Sequence, residues 1–193
     1  MTFRPALVAV LALFAAAFSA GCADTAATAP TYVVATLQPT RGNSAAGTVW
    51  FSQEGAQVLV RGRITGLMPN QEHGFHVHEK GDCSSGDGMS AGGHLNPTAK
   101  PHGPPAGEHH AGDLPSIKAD ATGSANVRAR VTGTLLGAGA ADIAGKALVV
   151  HAAPDDYTTQ PTGNSGARIA CGVIGIAAGR DASGNAILIP KDL

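Results

Sequence analysis

Hydrophobic and polar residues alternate in short runs along most of this chain. Residues 57–65 (QVLVRGRIT) show it most plainly: Val58, Val60 and Ile64 alternate with Gln57, Arg61, Arg63 and Thr65, with Leu59 and Gly62 as the exceptions. A period of two marks a strand with one buried face. Alternating or β-branched runs at residues 32–38, 47–53, 73–79, 116–120, 124–132, 147–151 and 171–177 bring the predicted strands to eight. Turn signals such as Arg41-Gly42-Asn43 and Pro69-Asn70 separate them. No stretch of ten or more residues combines helical spacing with caps. Many short strands at close spacing predict an antiparallel sandwich or barrel. Two long gaps, residues 80–112 and 152–170, break the rhythm, and gaps of that length are usually functional.

The N-terminus follows a different pattern. Arg4 precedes an unbroken apolar run at residues 6–18, and Ser19-Ala20-Gly21 follows. This predicts a secretory signal over residues 1–21, too short to cross a bilayer as a helix. Residues 22–30, rich in Ala and Thr, read as a tether, and residues 31–193 as the folded domain. Cys22 stands at the expected cleavage point. One reading makes it the lipid-modified first residue of a bacterial lipoprotein anchored in the cell envelope. The other makes it incidental to an ordinary signal, as Ser19 stands where such lipoproteins usually carry Leu. An unpaired cysteine in an exported protein favours the first. Either way the protein is expected outside the cytoplasm, in the periplasm or on the membrane.

Composition narrows the function. Charged residues are 14% and the formal net charge is −1, with no basic run. A nucleic-acid partner, which needs a basic face, is not expected. With aromatics at 4%, the core must rest on Val, Ile, Leu and Ala.

Eight histidines against three cysteines point to metal chemistry. Seven of the eight fall between His73 and His110, and His151 ends the run 147–151. His76 and His78, two apart on a strand, share a face and can reach one ion. His94, His102, His110 and Asp113 follow in series. Several imidazoles suit copper, and three His with one Asp suit a closed zinc site. Six His and one Asp supply seven donors for eight coordination places, so one ring must serve both ions. His109, beside His110, is not excluded by spacing alone.

Gly74-Phe75-His76-Val77-His78-Glu79, Ala91-Gly92-Gly93-His94-Leu95-Asn96-Pro97, His110-Ala111-Gly112-Asp113-Leu114, Val149-Val150-His151 and the run Gly163-Asn164-Ser165-Gly166-Ala167-Arg168-Ile169-Ala170-Cys171-Gly172-Val173-Ile174-Gly175 resemble the Cu,Zn superoxide dismutases, of the bacterial kind. The resemblance extends over residues 31–177. It implies an eight-stranded antiparallel Greek-key β-barrel and the dismutation of superoxide to dioxygen and hydrogen peroxide, with one copper and one zinc per subunit. It makes His76, His78, His94 and His151 copper ligands. It makes His94, His102, His110 and Asp113 zinc ligands, His94 being shared and passing a proton to the product. His110 is preferred to His109 for its spacing to Asp113. Arg168 is implied to draw superoxide to the copper and Thr162 to line the same channel. Asp155 is implied to link His76 to His102, and Cys83 to pair with Cys171. A metal-storage barrel would need neither Arg168 nor Thr162. His73 is expected to bond to backbone inside the barrel. The loop 152–167 has no Lys, so the family's steering residues have no match there, and Lys80 and Lys100 are the substitutes considered. The family's dimer surfaces are not matched, so monomer and homodimer both stand, and the tail 179–193 has no assigned role.

Overall fold

The computed structural model of the protein describes Met1 and residues 32–177 apart from Leu135 and Ala138, and these described residues form nine strands. The expected signal beyond Met1, the tether with Cys22 and the tail lie outside the described residues. The strands are β1 (Tyr32–Pro39), β2 (Ala46–Glu54), β3 (Gln57–Thr65), β4 (Glu72–His73), β5 (Phe75–His78), β6 (Ile117–Lys118), β7 (Ala125–Val131), β8 (Ala147–His151) and β9 (Arg168–Ala177). One 3₁₀ turn, Met89–Ala91, is the only helical element among the described residues. Seven strands form one antiparallel sheet in the order β5-β8-β9-β1-β2-β3-β7, curled into a half-barrel, and β4 pairs with β6. The chain passes from β3 to β4 and on to β5, and later from β7 to β8, so it moves twice from the β3/β7 edge of the sheet to the β5/β8 edge, as in a Greek key.

The expected run 73–79 becomes two strands because Gly74 bonds elsewhere. Its N–H donates to the Ala153 carbonyl (2.8 Å) and its carbonyl accepts from His151 N–H (2.9 Å). His73 then pairs with Ile117, while Phe75 pairs with Val150. Gly62, the break in the β3 alternation, lies opposite Val49, and a Cβ there would run into the Val49 backbone. β9 begins at Arg168, three residues before the expected start, because His151 and Arg168 pair across a bulge in β8 and β9.

The core is aliphatic, as the composition required. Val33, Leu37, Val49, Val60, Ile64, Leu148 and Ile174 are buried together with Phe51 and Phe75. Each such side chain stabilises the fold by about 1.5–3 kcal/mol relative to exposure. β5, β8 and β9 have a second apolar side. Phe75, Val77, Leu148 and Val150 face the core, whereas Ala147, Val149 and Cys171 join Ala91 and Cys83 in a separate small cluster. Alternation therefore sends His76, His78 and His151 out of the core, towards the long loops.

Candidate metal centre

The free edge of β5 organises the first long loop. Val77 N–H donates to the Gly112 carbonyl (2.8 Å), Leu95 N–H to Val77 (2.8 Å), Gly112 N–H to Leu95 (2.9 Å) and Glu79 N–H to Gly93 (2.9 Å). These bonds set His94 opposite His78 and Asp113 opposite His76, as if short strands had been added to the sheet. Gly112 fits because a Cβ there would strike the Val77 carbonyl. Four donors from two distant parts of the sequence are thus placed by main-chain pairing.

Two groups of donor atoms result, each with its atoms within 4.8 Å of one another. His76, His78, His94 and His151 form one, and His94, His102, His110 and Asp113 the other, all buried. His94 belongs to both. Its Nδ1 lies 2.8 Å from Asp113 Oδ1. Its Nε2 is buried without a hydrogen-bond partner, as is His76 Nδ1. His78 Nε2 and His151 Nε2 stand 3.3 Å apart. In the second group His102 Nδ1 lies 3.0 Å from Asp113 Oδ2 without hydrogen-bonding geometry, and His110 Nδ1 3.3 Å from Oδ1. Buried nitrogens aimed together with no partner of their own are what a metal ion satisfies, so the donors fit one.

Acceptors outside each group hold the rings. His76 Nε2 donates to Asp155 Oδ2 (2.6 Å) and His102 Nε2 to Asp155 Oδ1 (2.9 Å), so one carboxylate spans both groups. His78 Nδ1 donates to the Gly92 carbonyl (2.9 Å) and His151 Nδ1 to Gly166 (3.2 Å). A remote N–H fixed in this way leaves the near nitrogen as a lone pair.

The family model described as copper/zinc superoxide dismutase (SODC) matches residues 45–174. The chain belongs to this family. Among solved structures, the crystal structure of the clock protein EA4 is 40% identical, with a TM-score of 0.70 over 77% of this chain and 96% of that one. A copper/zinc superoxide dismutase is an oxidoreductase that uses both metals, and the two donor groups of this one suit them.

Electrostatics in this superoxide dismutase favour metal uptake. Burial, opposed by the bond to Asp155, brings His76 down to about 4. Burial likewise lowers His78 to about 2 and His151 to about 3, so no proton competes for them near neutrality. Burial also works against charge on His102, yet Asp113 and Asp155 outweigh it and raise this imidazole to about 9. Asp113 and Asp155 are themselves buried but held well below the usual carboxylate range by the histidines around them.

Arg168 lies half-buried at the start of β9. Its Nη1 donates to the Gly88 carbonyl and its Nη2 to Gly92, both at 2.6 Å. Thr40 Oγ1 donates to its main-chain carbonyl (2.7 Å). The Gly92 carbonyl therefore accepts from His78 and Arg168 at once. Gly92 adopts φ 74°, ψ −153°, open in practice only to glycine. Cys83 and Cys171 form a disulfide across 88 residues, tying the loop that carries both carbonyls to the strand that carries Arg168.

The remaining expected residues divide. His73 Nδ1 donates to the His151 carbonyl (2.8 Å) inside the barrel. His109 meets the His110 carbonyl (2.6 Å) and stands outside both donor groups. Thr162 is half-buried, and its carbonyl accepts the Ser165 hydroxyl (2.9 Å). Lys80 and Lys100 are exposed. Sequence reasoning missed Gly88, Gly92, Tyr157 and Gln160. The first two act through main-chain carbonyls, which leave no side-chain signature.

Proposed function

We propose that His76, His78, His94 and His151 hold copper, that His94, His102, His110 and Asp113 hold zinc, and that His94 bridges the two ions of a superoxide-dismutating centre. The observation that carries this reading is the double membership of His94, whose Nδ1 faces the carboxylate group and whose unpartnered Nε2 faces the all-histidine group. Four imidazoles suit copper and the mixed set suits zinc. Bound copper supplies the one-electron couple by which one superoxide becomes dioxygen and a second becomes peroxide. The chain's residues do the rest. Arg168 offers a fixed cationic group to a small anion, braced by the Gly88 and Gly92 carbonyls. Asp155, Gly92 and Gly166 keep four rings oriented, those of His76, His102, His78 and His151. His94 Nε2 is the position at which a proton is held and passed to the reduced substrate. Thr162 borders the approach.

His151→Ala tests the assignment. Superoxide decay falls to background while zinc content by elemental analysis stays near one per chain, since His151 belongs to the copper group alone. Equal loss of both metals overturns it.

The same reading places the enzyme at the bacterial envelope, anchored through acyl chains on Cys22. Supporting this are the apolar run at residues 6–18 and the disulfide, which leaves Cys22 as the third cysteine. Stable anchoring needs more than one chain. Mass spectrometry of the mature N-terminus finds a diacylated or triacylated Cys22, and Cys22→Ser moves the protein to the soluble fraction. An unmodified N-terminus with identical fractionation of the variant makes the enzyme a soluble one.

A further inference from the structure

The loop 152–167 touches His102 from several sides, and one contact is to its backbone. Gln160 Oε1 accepts the His102 N–H (2.9 Å) and Gln160 Nε2 donates to the His102 carbonyl (2.9 Å). Among the described residues, no other hydrogen bond reaches these two main-chain groups, although His102 is buried. A buried peptide left unpaired is costly, so the amide of Gln160 replaces the strand partner that an irregular loop lacks.

The same segment closes on the ring. Tyr157, at φ 56°, lies parallel to the His102 imidazole, with centroids 6.4 Å apart and planes 9° apart. Its hydroxyl accepts from Ser116 N–H (2.8 Å) and donates to Ser116 Oγ (3.0 Å). Gly163 passes so close that a Cβ would collide with Asp155 and His102. His102 belongs to the second donor group, with Nδ1 towards Asp113 and Nε2 on Asp155, the carboxylate that also holds His76.

We infer that Gln160 is a positioning residue for zinc, its amide clamping the His102 peptide so that Nδ1 is aimed at the ion before the ion arrives. The inference rests on His102 being a zinc ligand, as proposed above. It also gives the loop 152–167 a task in metal retention besides its place beside Arg168. Partners one step removed from a metal ligand typically alter metal affinity about 10–100-fold when lost.

The test compares Gln160→Leu, Gln160→Glu and His102→Ala with the unaltered protein. Zinc affinity is read by chelator competition, copper affinity in parallel, and the melting of the metal-free protein as a control. Gln160→Leu is expected to weaken zinc about 10–100-fold with little change in copper. Gln160→Glu, which accepts from the His102 N–H but cannot donate to its carbonyl, falls between. Cobalt(II) in place of zinc should show shifted visible bands in Gln160→Leu, because its ligand geometry has changed. Unchanged zinc affinity and an unchanged cobalt spectrum overturn the clamp. So does an equal loss of copper affinity and metal-free stability, which marks general destabilisation. If His102→Ala itself leaves zinc affinity intact, the ligand assignment fails and the clamp with it. If only His102→Ala weakens zinc, the assignment stands and the clamp falls.

Discussion

Arg168 shows how little of a residue's role its charge describes. Its guanidinium is half-buried, and burial lowers its pKa while Asp87 works the other way, yet an arginine stays charged at any working pH. The two carbonyls of Gly88 and Gly92 take one N–H from each side of the fork, which aims the group and leaves its charge in place. A lysine has no fork and cannot hold both carbonyls. Losing one charge-assisted hydrogen bond is worth about 1.5–3 kcal/mol, so Arg168→Lys should lose about tenfold or more in superoxide turnover. Arg168→Glu should lose at least another order of magnitude by repelling the substrate. The gap between the two should narrow with added salt, since exposed charges are screened beyond about 8–10 Å near physiological ionic strength. Equal losses at low salt would leave Arg168 with a packing role only.

Loops supply four of the seven candidate donors, His94, His102, His110 and Asp113, and the local order of loops depends on short acidic turns. Asp156 accepts from Thr158 N–H (2.9 Å), Thr159 N–H (2.8 Å) and Thr159 Oγ1 (2.7 Å), and these bonds hold it down at about 2. A carboxyl depressed in the folded state contributes stability that is present above its unfolded value near 4 and is lost as pH falls through the folded value. Protection of the Thr158 and Thr159 amides from exchange, taken relative to the intrinsic rate at each pH, should therefore fall between about pH 4 and pH 2. Asp156→Ala should show the low protection already at neutral pH, and full protection in that variant would refute the turn's role. The element scale also divides what could be read in advance from what could not. A period of two put His76 and His78 on one face and was legible, whereas spacing alone left both His109 and His110 open. The split at Gly74 was not legible, because it depends on a bond to Ala153 in a loop 79 residues away. Gln160 and Gly92 were equally silent. One binds a backbone and the other offers one, and neither act needs a particular neighbour in sequence.

At the scale of the whole molecule, the two donor groups lie outside the apolar core, among loops with little secondary structure of their own. Ions that bind only the folded chain stabilise it by mass action, about 4 kcal/mol at a thousandfold excess over the dissociation constant. For a domain of this size that is a rise in melting temperature of roughly 8–16 °C. Zinc alone should produce it in a calorimetric titration of the metal-free protein, and Asp113→Asn should shrink it, an amide being the poorer donor. An undiminished rise in that variant would remove Asp113 from the zinc set. The disulfide adds to the same end: closing 88 residues is worth at most ~4.6 kcal/mol in the chain-entropy model.

β1 is the first strand of the described chain and β9 the last, and they lie side by side, Val33 against Ile176 and Gln38 against Cys171. A chain made from its N-terminus thus completes all seven metal donors by His151 while the inner edges of β1 and β8 still await a neighbour. The last donor precedes the closing strand by 17 residues. Until residues 168–177 arrive, the nascent polypeptide lacks the strand that joins β8 to β1, as well as Cys171 and Arg168. A chain ending at Ala167 should show no cooperative melting even with both metals supplied, although it lacks none of their proposed ligands. The order of the strands thus makes the last-made of the described strands the one that joins β8 to β1.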